Sequence, residues 1–516
     1  MSAAATGRDG AVRVFAGYDR DFTERAEVAV VGSGPAGAIA AYELACAGRD
    51  VLLLEEGPPF TPEDFVLDGA ISMARTMREG GLRATRGHVL PTMQAIALGG
   101  GSLVNSAICV RPPEAVFEGW CANFELSRTR RADLDPHFEA VEKLLGIEPT
   151  PDAVQGLRNL VFRRGCDALG IPSEPIPRNV RGCHGSGECF TGCRARAKQS
   201  MDVSAIPDAI RHGARVLTSV QVREIRAEGR RVTGLAGRVV APFSGAPGPA
   251  FRVEADAVVL AAGCMATPVL LQKSGGLADG SGQVGRNLQF HPGAAVMGVF
   301  DEDIDAVFGA TQGYQSLHFL DRGFKLETLW APPAVFAVRL PGMGASLKRR
   351  LAEIRRASIF DAIASCHRSL GTVKARRGAS MDPILTWRFH PEDVQILGSS
   401  LWEMARILFA AGARKVLPGV HGVPDELHSL DEAQVLRDRT WRPQELVAAA
   451  NHAFCSTRMH GDPRQGVVDE YGRCHDLDNL WITDTGIFPR SSGVNPMLTG
   501  MALSRRAALQ VAEAVG

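Results

Sequence analysis

Three cysteines stand close together in the segment CHGSGECFTGCRARAKQS. They are Cys183, Cys189 and Cys193, three of the eleven cysteines in the chain. Cysteines at this spacing can bind a metal or an iron–sulfur cluster, form a disulfide, or only pack. A structural zinc needs four ligands, and the nearest fourth candidate, His184, is directly adjacent to Cys183 and poorly placed. Zinc is therefore the least favoured of these roles, and the other three stay open.

A second candidate site lies near the N-terminus, in EVAVVGSGPAGAIAAYELACAGRDVLLLEEG. Its apolar start predicts a buried parallel strand, Gly32, Gly34 and Gly37 predict a turn, and the alanine-rich stretch predicts a helix. Such glycines let the backbone approach a pyrophosphate, which the helix N-terminus attracts. Glu55, with Glu56 as the alternative, ends the second strand where an acid binds a ribose hydroxyl and disfavours a 2′-phosphate. The unit therefore predicts a site for FAD or NAD rather than NADP.

Two further segments contain polar side chains next to apolar elements. The glycine-rich ALGGGSLVNSAICVRPP contains Ser102 and Asn105, which suit a large planar or anionic ligand. Near the C-terminal end, NLWITDTGIFPRSSGVNPMLTGMALSRRAALQVAEA predicts a strand that ends at Asp484, then a loop and a helix. Asn495 and Pro496, at the start of that helix, suit a helix cap as well as a ligand contact.

The elements that hold these residues must belong to more than one structural unit. The chain has 516 residues, which suggests two or three units. Its 57 basic residues balance 57 acidic ones, so we expect no nucleic-acid partner. No window approaches the roughly 18 to 20 uninterrupted apolar residues of a membrane span, and the first residues lack a signal-peptide core. We therefore expect a cytoplasmic protein without an integral membrane segment.

Five ordered motifs resemble those of the glucose-methanol-choline (GMC) flavoprotein oxidoreductases, and they cover nearly the whole chain. They are GSGPAG, GGGSLVN with Arg111 after it, VVLAAGCMATPVLLQKSG, VGRNLQFHP and the C-terminal pair NHAFCSTRMHGDP and GVNP. The pattern is most similar to the cholesterol oxidase and long-chain alcohol oxidase members. The resemblance implies that the cofactor is FAD.

The family also implies an α/β fold in two parts. A Rossmann-like FAD-binding domain would be discontinuous in sequence, with its sheet completed by the C-terminal segment, and would take residues 20–115, 200–292 and 453–516. An α+β substrate domain on an antiparallel sheet, with cap and linker segments, would take residues 116–199 and 293–452.

Local patterns in the second of these regions predict individual elements. GYQSLHFLD, LETLWAPPAVF and DPILTWRFH predict short strands through their partial alternation of apolar and polar residues. Apolar residues at helical spacing predict a helix from about Pro391 to Ala411, with these residues in the core.

The same resemblance assigns residues to the parts of FAD. The residues implied at the adenosine diphosphate part are Gly32, Gly34, Gly37 and Glu55, with Val222 near the adenine. The residues implied along the flavin and its ribityl chain are Ser102, Asn105 and Asp484.

The chemistry is expected at His452. Oxidation of an alcohol by hydride transfer requires removal of the hydroxyl proton, and an imidazole, with an ordinary pKa near 6.5, can accept it near neutral pH. His452 lies in NHAFCSTRM, shortly before the predicted Asp484 strand, and it matches the catalytic histidine of the family. We rank His460 second and expect His291, in LQFHP, to hold a loop.

Asn495 falls at the position of the family's second catalytic residue. Many members have a second histidine there, but cholesterol oxidases and some long-chain alcohol oxidases have asparagine. An amide cannot act as a base at this pH, so Asn495 is expected to hydrogen-bond the substrate oxygen or the flavin, or to cap a helix. The asparagine moves the expected substrate toward sterol, aryl or long-chain alcohols and away from free sugars.

The expected function is FAD-dependent oxidation of a primary or secondary alcohol to the aldehyde or ketone, with oxygen, a quinone or a cytochrome as electron acceptor. Two alternatives stay open. The three cysteines resemble the pattern of FAD-dependent sugar dehydrogenases in which a three-iron cluster at Cys183, Cys189 and Cys193 would pass electrons to a cytochrome. The scaffold is also similar to hydroxynitrile lyases, in which FAD is structural and no redox step occurs.

Overall fold

The N-terminal strand Phe22–Val31 and the helix Pro35–Cys46 begin a parallel α/β layer. The computed structural model describes residues 11–305, 308–330, 337 and 340–516. The last four residues of the strand are all buried, as expected for a parallel strand that is covered on both faces. A large sheet of eight strands forms around it. Its spatial order is Val12–Arg13, Arg215–Leu217, Val51–Leu54, Phe22–Val31, Pro247–Leu260, Arg231–Val240 and Val220–Glu228, with Leu480–Ile482 also on Pro247–Leu260.

The long strand Pro247–Leu260 joins distant parts of the chain. It pairs in parallel with Phe22–Val31 along one edge. On its other edge, its first half pairs antiparallel with Arg231–Val240, and its last three residues pair in parallel with Leu480–Ile482. The C-terminal segment thus completes the sheet. This confirms the predicted Rossmann-like α/β layer that is discontinuous in sequence.

Helices cover the faces of the large sheet. The C-terminal helix Met497–Ala514 packs against Pro35–Cys46 and against Arg131–Leu145, and Ala205–Arg211 also packs against Pro35–Cys46. The hydroxyl of Ser504 donates to the carbonyl of Ala36 at 2.6 Å, which fixes the C-terminal helix close to the start of the first helix.

A second, antiparallel sheet of six strands forms the other half of the fold. Its spatial order is Lys415–Leu417, Gly293–Val299, Ala357–Ala364, Phe324–Leu329, Tyr314–Ser316 and Glu174–Pro175. The predicted helix is confirmed as Pro391–Ala410. It packs with Leu157–Ala168 on this sheet, and its apolar residues lie in the core. The antiparallel sheet of the inserted part is therefore confirmed.

The structure divides residues 116–199 between the two cores. Buried side chains of Glu114–Phe124 and Arg131–Leu145 belong to the core of the large sheet. Those of Leu157–Ala168 belong to the core of the antiparallel sheet. Because apolar contacts decide which core a helix joins, the N-terminal part of this segment packs with the FAD-binding layer rather than with the substrate domain.

Two of the predicted strands join the antiparallel sheet, as Tyr314–Ser316 and Phe324–Leu329. The part of LETLWAPPAVF after Trp330 lies outside the described residues. The third predicted strand, Pro383–Arg388, forms a separate sheet with Leu370–Ala375 and Arg86–Gly87. Short strand pairs complete the β structure, namely Ile147–Pro149 with Pro177–Asn179 and Gln289–Phe290 with Ala453–Phe454. Among the described residues, the other α-helices are Gly69–Thr76, Thr267–Lys273, Ala345–Ala352 and Leu430–Arg437. Among the helices of the described ranges, none has the length and apolar character needed to cross a bilayer.

Candidate active site

A cavity of about 520 Å³ lies between the two sheets. A volume of this size is typical of small-molecule and cofactor sites. Eight of the ten predicted site residues line it, namely Gly32, Gly34, Glu55, Asn105, Val222, His452, Asp484 and Asn495. Gly37 and Ser102 do not, and each has a different role in the structure.

The three N-terminal glycines have three different roles, and together these roles suit a dinucleotide site. Gly32 has a φ of +99°, and a Cβ there would lie 2.4 Å from the carbonyl oxygen of Ala261. Gly34 lines the cavity, and a Cβ on it would meet no atom closer than 4.0 Å, so its bare Cα leaves room for a ligand. A Cβ on Gly37 would lie 1.8 Å from the carbonyl oxygen of Gly32, so Gly37 lets the helix pack on the turn. A tight turn, a close ligand approach and close helix packing are the roles of such glycines at dinucleotide sites.

We expect a Gly37→Ala variant to be purified without FAD and with a lower melting temperature. The added methyl group meets backbone atoms, which cannot move without opening the turn. Flavin content by absorbance and thermal unfolding measure the two effects. Gly119→Ala is the matched control, because Gly119 also lies in a helix but a Cβ there meets no atom within 4 Å. Full FAD content in both variants would contradict the packing role.

Two adjacent acids stand at the end of the strand Val51–Leu54. The carboxylate of Glu55 accepts from the Ser33 hydroxyl at 2.6 Å and from the Gly57 amide at 2.7 Å, and burial raises the pKa of Glu55. Burial would raise the pKa of Glu56, but its ion pair and hydrogen bond with Arg78, together with Gln221 and Arg223, lower it. Both acids line the cavity. A carboxylate has about four acceptor positions, so Glu55 can hold the loop and still accept from a ribose hydroxyl.

Ser102 holds the glycine-rich loop rather than lining the cavity. Its hydroxyl donates to the carbonyl of Gly99 at 2.6 Å and accepts from the amide of Met201 at 3.0 Å. The expectation that it contacts the flavin therefore does not fit its position. Asn105 does line the cavity, and its amide nitrogen lies 3.0 Å from the Met497 sulfur at the start of the C-terminal helix.

Asp484 ties together three segments at the floor of the cavity. Its carboxylate accepts from the Thr267 hydroxyl at 2.5 Å, from the Gly263 amide at 3.1 Å and from the Gly486 amide at 2.8 Å. Burial raises its pKa. Val222, on the strand Val220–Glu228, lines the cavity beside the carboxyl end of Val51–Leu54. The amide of Val220 donates to the carbonyl of Glu55 at 2.9 Å, so Val222 lies on the Glu55 side of the cavity, and its place near the adenine stays a prediction.

His452 contacts a second histidine. Nδ1 of His291 lies 3.3 Å from Nδ1 of His452, and Nε2 of His291 accepts the backbone N–H of Gly493 at 3.2 Å. Because that nitrogen is an acceptor, neutral His291 has its proton on Nδ1 and donates it to His452. Neutral His452 then has its proton on Nε2, the nitrogen that remains for a substrate. His291, expected only to hold a loop, is thus a direct neighbour of the candidate catalytic residue.

A buried network fixes the orientation of Asn495. The ammonium of Lys325 donates to the Asn495 side-chain oxygen and to Glu327, both at 2.6 Å. Glu327 also accepts from the Gln312 amide at 2.7 Å. Lys325 and Glu327 are both fully or almost fully buried. Since an ammonium has only donors, it holds the Asn495 oxygen, and the amide N–H groups of Asn495 are left for the cavity.

Sequence reasoning missed Lys325 and Glu327. They alternate with apolar residues in FKLETL, a pattern that usually indicates a strand with one face in water. Here the polar side chains are buried beside Asn495 instead. The second-ranked His460 lies outside the cavity wall, where its Nδ1 accepts from the amide of Asp462 at 2.9 Å.

The three clustered cysteines lie away from the large cavity. All eleven cysteines are free thiols, so the structure does not contain the disulfide that the sequence left open. Within the part of the chain that the structure covers, no group of three His, Cys, Asp or Glu side chains is arranged to hold a metal ion. Cys183, Cys189 and Cys193 instead line a separate cavity of about 10 Å³.

The two buried histidines should make the protein less stable in acid. Burial, with Glu327 and Lys325 as opposing lesser influences, lowers the pKa of His452 to about 4, and burial together with His452 holds the pKa of His291 well below its ordinary value. The unfolded imidazoles titrate near 6.5. As the pH falls from about 6.5 to about 4, the unfolded chain takes up protons that the native protein excludes, so stability decreases in this window.

We expect the loss of melting temperature between pH 7 and pH 5 to be smaller in His452→Gln than in the wild type. An equal loss in both proteins would contradict this origin.

Comparison with known proteins agrees with this geometry. The N-terminal family model for GMC oxidoreductases matches residues 73–293, and the C-terminal one matches residues 367–504. A model for an FAD binding domain matches residues 27–118. Together these matches span most of the chain, and they include the glycine turn, His452 and Asn495.

Individual proteins give the same result. An uncharacterised GMC-type oxidoreductase of Mycobacterium tuberculosis is 34% identical over 98% of this chain and 79% of its own length. Long-chain-alcohol oxidase FAO4B of Arabidopsis thaliana is 29% identical over 93% of this chain and 66% of its own. The crystal structure of pyridoxine 4-oxidase from Mesorbium loti superimposes with a TM-score of 0.72 at 20% identity, covering 94% of this chain and 99% of that one. The chain therefore belongs to the GMC oxidoreductase family and is an FAD-dependent oxidoreductase.

Proposed function

We propose that the protein oxidises a primary or secondary alcohol to the aldehyde or ketone, with His452 as the acceptor of the hydroxyl proton. The observation that carries this proposal is the placement of His452 and Asn495 together on the cavity wall. His452 is the single histidine among the described residues that line this cavity. FAD, when bound, accepts the hydride from the carbinol carbon.

Asn495 is proposed to bind the alcohol oxygen through its amide N–H groups. The Lys325 ammonium holds the amide oxygen and polarises the amide, so its N–H groups become better donors to an oxygen that gains negative charge. Preorganised donors of this kind stabilise a developing alkoxide without rearrangement during the reaction.

His452 must change tautomer before it accepts the proton. Its pKa of about 4 leaves His452 neutral near pH 7. In the structure the proton of neutral His452 is on Nε2, because His291 donates to Nδ1 of His452. Acceptance at Nε2 requires the proton to be on Nδ1 instead, with His291 turned to accept it. We therefore propose that the contact between His291 and Gly493 opens when substrate binds.

The substrate is proposed to be an aryl, sterol or long-chain alcohol. The antiparallel sheet contributes Leu329 and Trp330 to the cavity wall, and the loop before the glycine-rich segment contributes Met93. These large apolar side chains favour a substrate with an extended apolar part. The similarity to a long-chain-alcohol oxidase supports the same class.

Anaerobic titration tests the proposed reaction. The flavin absorbance of the purified protein is recorded before and after addition of long-chain, aryl and sterol alcohols, with a free sugar as the comparison. We expect one of the apolar classes to bleach the flavin and the sugar to leave it oxidised. A flavin that no alcohol reduces, together with release of an aldehyde from a cyanohydrin, would overturn the proposal in favour of a lyase.

A further inference from the structure

Two buried cations lack a carboxylate partner. Arg178 and Lys198 are 0% and 1% exposed, and in the ranges that the structure describes neither forms an ion pair with Asp or Glu within 4.0 Å. Lys198 donates to the carbonyl oxygens of Leu103, Asn105 and Cys189. A guanidinium stays protonated in proteins, and a buried charge without a counter-ion is costly. This region therefore has unbalanced positive charge.

The acidic group nearest to Arg178 is a thiol. Nη2 of Arg178 lies 3.0 Å from the sulfur of Cys189, while Nη1 finds no other partner among the described residues. A deprotonated Cys189 would accept the Arg178 hydrogen bond and supply the missing negative charge. Burial alone would raise the pKa of Cys189, but Arg178 and Lys198 reverse that effect and lower it.

The other charged groups near this thiol do not restore neutrality. Arg158, also buried, adds positive charge near Cys189. Asp202 interacts with the charge of Lys198, but burial raises the pKa of Asp202, which disfavours its charged form. Cys189 therefore remains the best candidate for the anion.

Two more thiols face the same small space. Cys183, Cys189 and Cys193 line the cavity of about 10 Å³, a volume close to that of one water molecule. Cys183 and Cys193 are partly exposed, whereas Cys189 is buried. A reactive thiolate thus has two possible resolving thiols beside it.

We propose that Cys189 is a thiolate that accepts a hydrogen bond from Arg178 near the Lys198 ammonium, and that a hydroperoxide converts it to a disulfide with Cys183 or Cys193. In the first step the Cys189 sulfur attacks one peroxide oxygen, the O–O bond breaks, and a sulfenic acid and hydroxide form. In the second step the thiol of Cys183 or Cys193 attacks the sulfenic sulfur, an S–S bond forms, and water leaves. One peroxide is reduced by two electrons for each disulfide formed.

Oxidation at this site would reach the flavin cavity through Lys198. The same ammonium binds the carbonyl of Cys189 and those of Leu103 and Asn105, and both Asn105 and Phe190 line the large cavity. Loss of the thiolate charge would weaken the binding of the Lys198 ammonium to these three carbonyl oxygens. The proposal does not rest on the proposed alcohol oxidation, because the test supplies the peroxide.

The test follows the oxidation of the purified holoprotein by hydrogen peroxide between pH 6 and pH 8. Remaining thiols are alkylated after unfolding, and mass spectrometry quantifies each cysteine and maps disulfides. We expect the rate at Cys189 to change less than about threefold over this range, because a thiolate is already formed. An ordinary thiol, with a pKa near 8.5, would react about tenfold faster for each pH unit. Such a steep rise at wild-type Cys189 would overturn the proposal.

Variants test whether Arg178 stabilises the thiolate and whether Cys189 is needed for the disulfides. Arg178→Gln should restore the steep pH dependence at Cys189, and Cys189→Ser should abolish the disulfide of both Cys183 and Cys193. Cys366, a buried thiol whose pKa burial raises well above its ordinary value, is the internal control and should stay reduced. A Cys189 product with only sulfinic or sulfonic acid would overturn the disulfide step. If Arg178→Gln does not fold, Arg178→Lys, which keeps the positive charge, should keep the flat profile.

Discussion

A His452→Ala variant is expected to bind FAD normally and to reduce it about 10² to 10⁴ times more slowly with alcohol than the wild type, the usual contribution of a positioned acid–base group. His452 lines the cavity, and its contact with Nδ1 of His291 leaves Nε2 for the substrate. Rapid-mixing absorbance under anaerobic conditions measures the step directly. It also separates slow chemistry from weak binding through the dependence on alcohol concentration.

The glutamine variant of the same residue decides which role His452 has. A glutamine can donate a hydrogen bond from its amide nitrogen, but it cannot accept a proton at neutral pH. If His452 accepts the hydroxyl proton, His452→Gln should be as slow as His452→Ala. Near-normal flavin reduction in His452→Gln would show that His452 only donates to the substrate oxygen, as its resting tautomer does, and the assignment of the proton acceptor would be wrong.

A Lys325→Met variant should lose about 3 to 5 kcal/mol of unfolding free energy, because it leaves Glu327 charged and unpaired in the interior. Lys325 and Glu327 are 2.6 Å apart, and both are almost completely buried. Chemical denaturation monitored by flavin fluorescence and circular dichroism measures this loss. The same variant should also reduce its flavin at least about tenfold more slowly, because the Asn495 amide loses the cation that orients its donors.

A double variant separates these two effects. Lys325→Met with Glu327→Gln removes both charges, so most of the stability should return. The rate of flavin reduction should stay low, because nothing positive holds the Asn495 oxygen. The loss should appear in the limiting rate rather than in the alcohol affinity. Recovery of the rate together with the stability would mean that Lys325 serves only the fold.

The parts of the fold that depend on local pattern were predictable. The buried run Val28 to Val31, the glycine turn and the helix Pro35–Cys46 follow each other as the sequence indicates. The helix Pro391–Ala410 follows from apolar spacing alone. By contrast, the packing of Arg131–Leu145 on the C-terminal helix depends on long-range contacts between residues more than 350 positions apart, and no local pattern encodes such contacts.

The candidate site was predictable where a motif fixes the backbone. Gly32, Gly34 and Gly37 have the distinct environments that their spacing requires. Side-chain partners were not predictable, because the sequence does not show which hydroxyl or charge faces which cavity. Ser102 was therefore expected to contact the ligand but holds a loop, while Lys325, which no motif singled out, is buried beside Asn495.

The strand order of the large sheet has a consequence for how the chain folds during synthesis. Leu260 pairs with Ile482, so the last three residues on one edge of this apolar strand have no partner until the last part of the chain is made. At about 5 to 20 residues per second, the ribosome needs roughly 10 to 45 s to make the intervening segment. An unpaired apolar edge is a site for wrong association during that time. Five of the six strands of the antiparallel sheet are translated within this interval, so that sheet can complete its own core before the FAD-binding sheet receives its last strand.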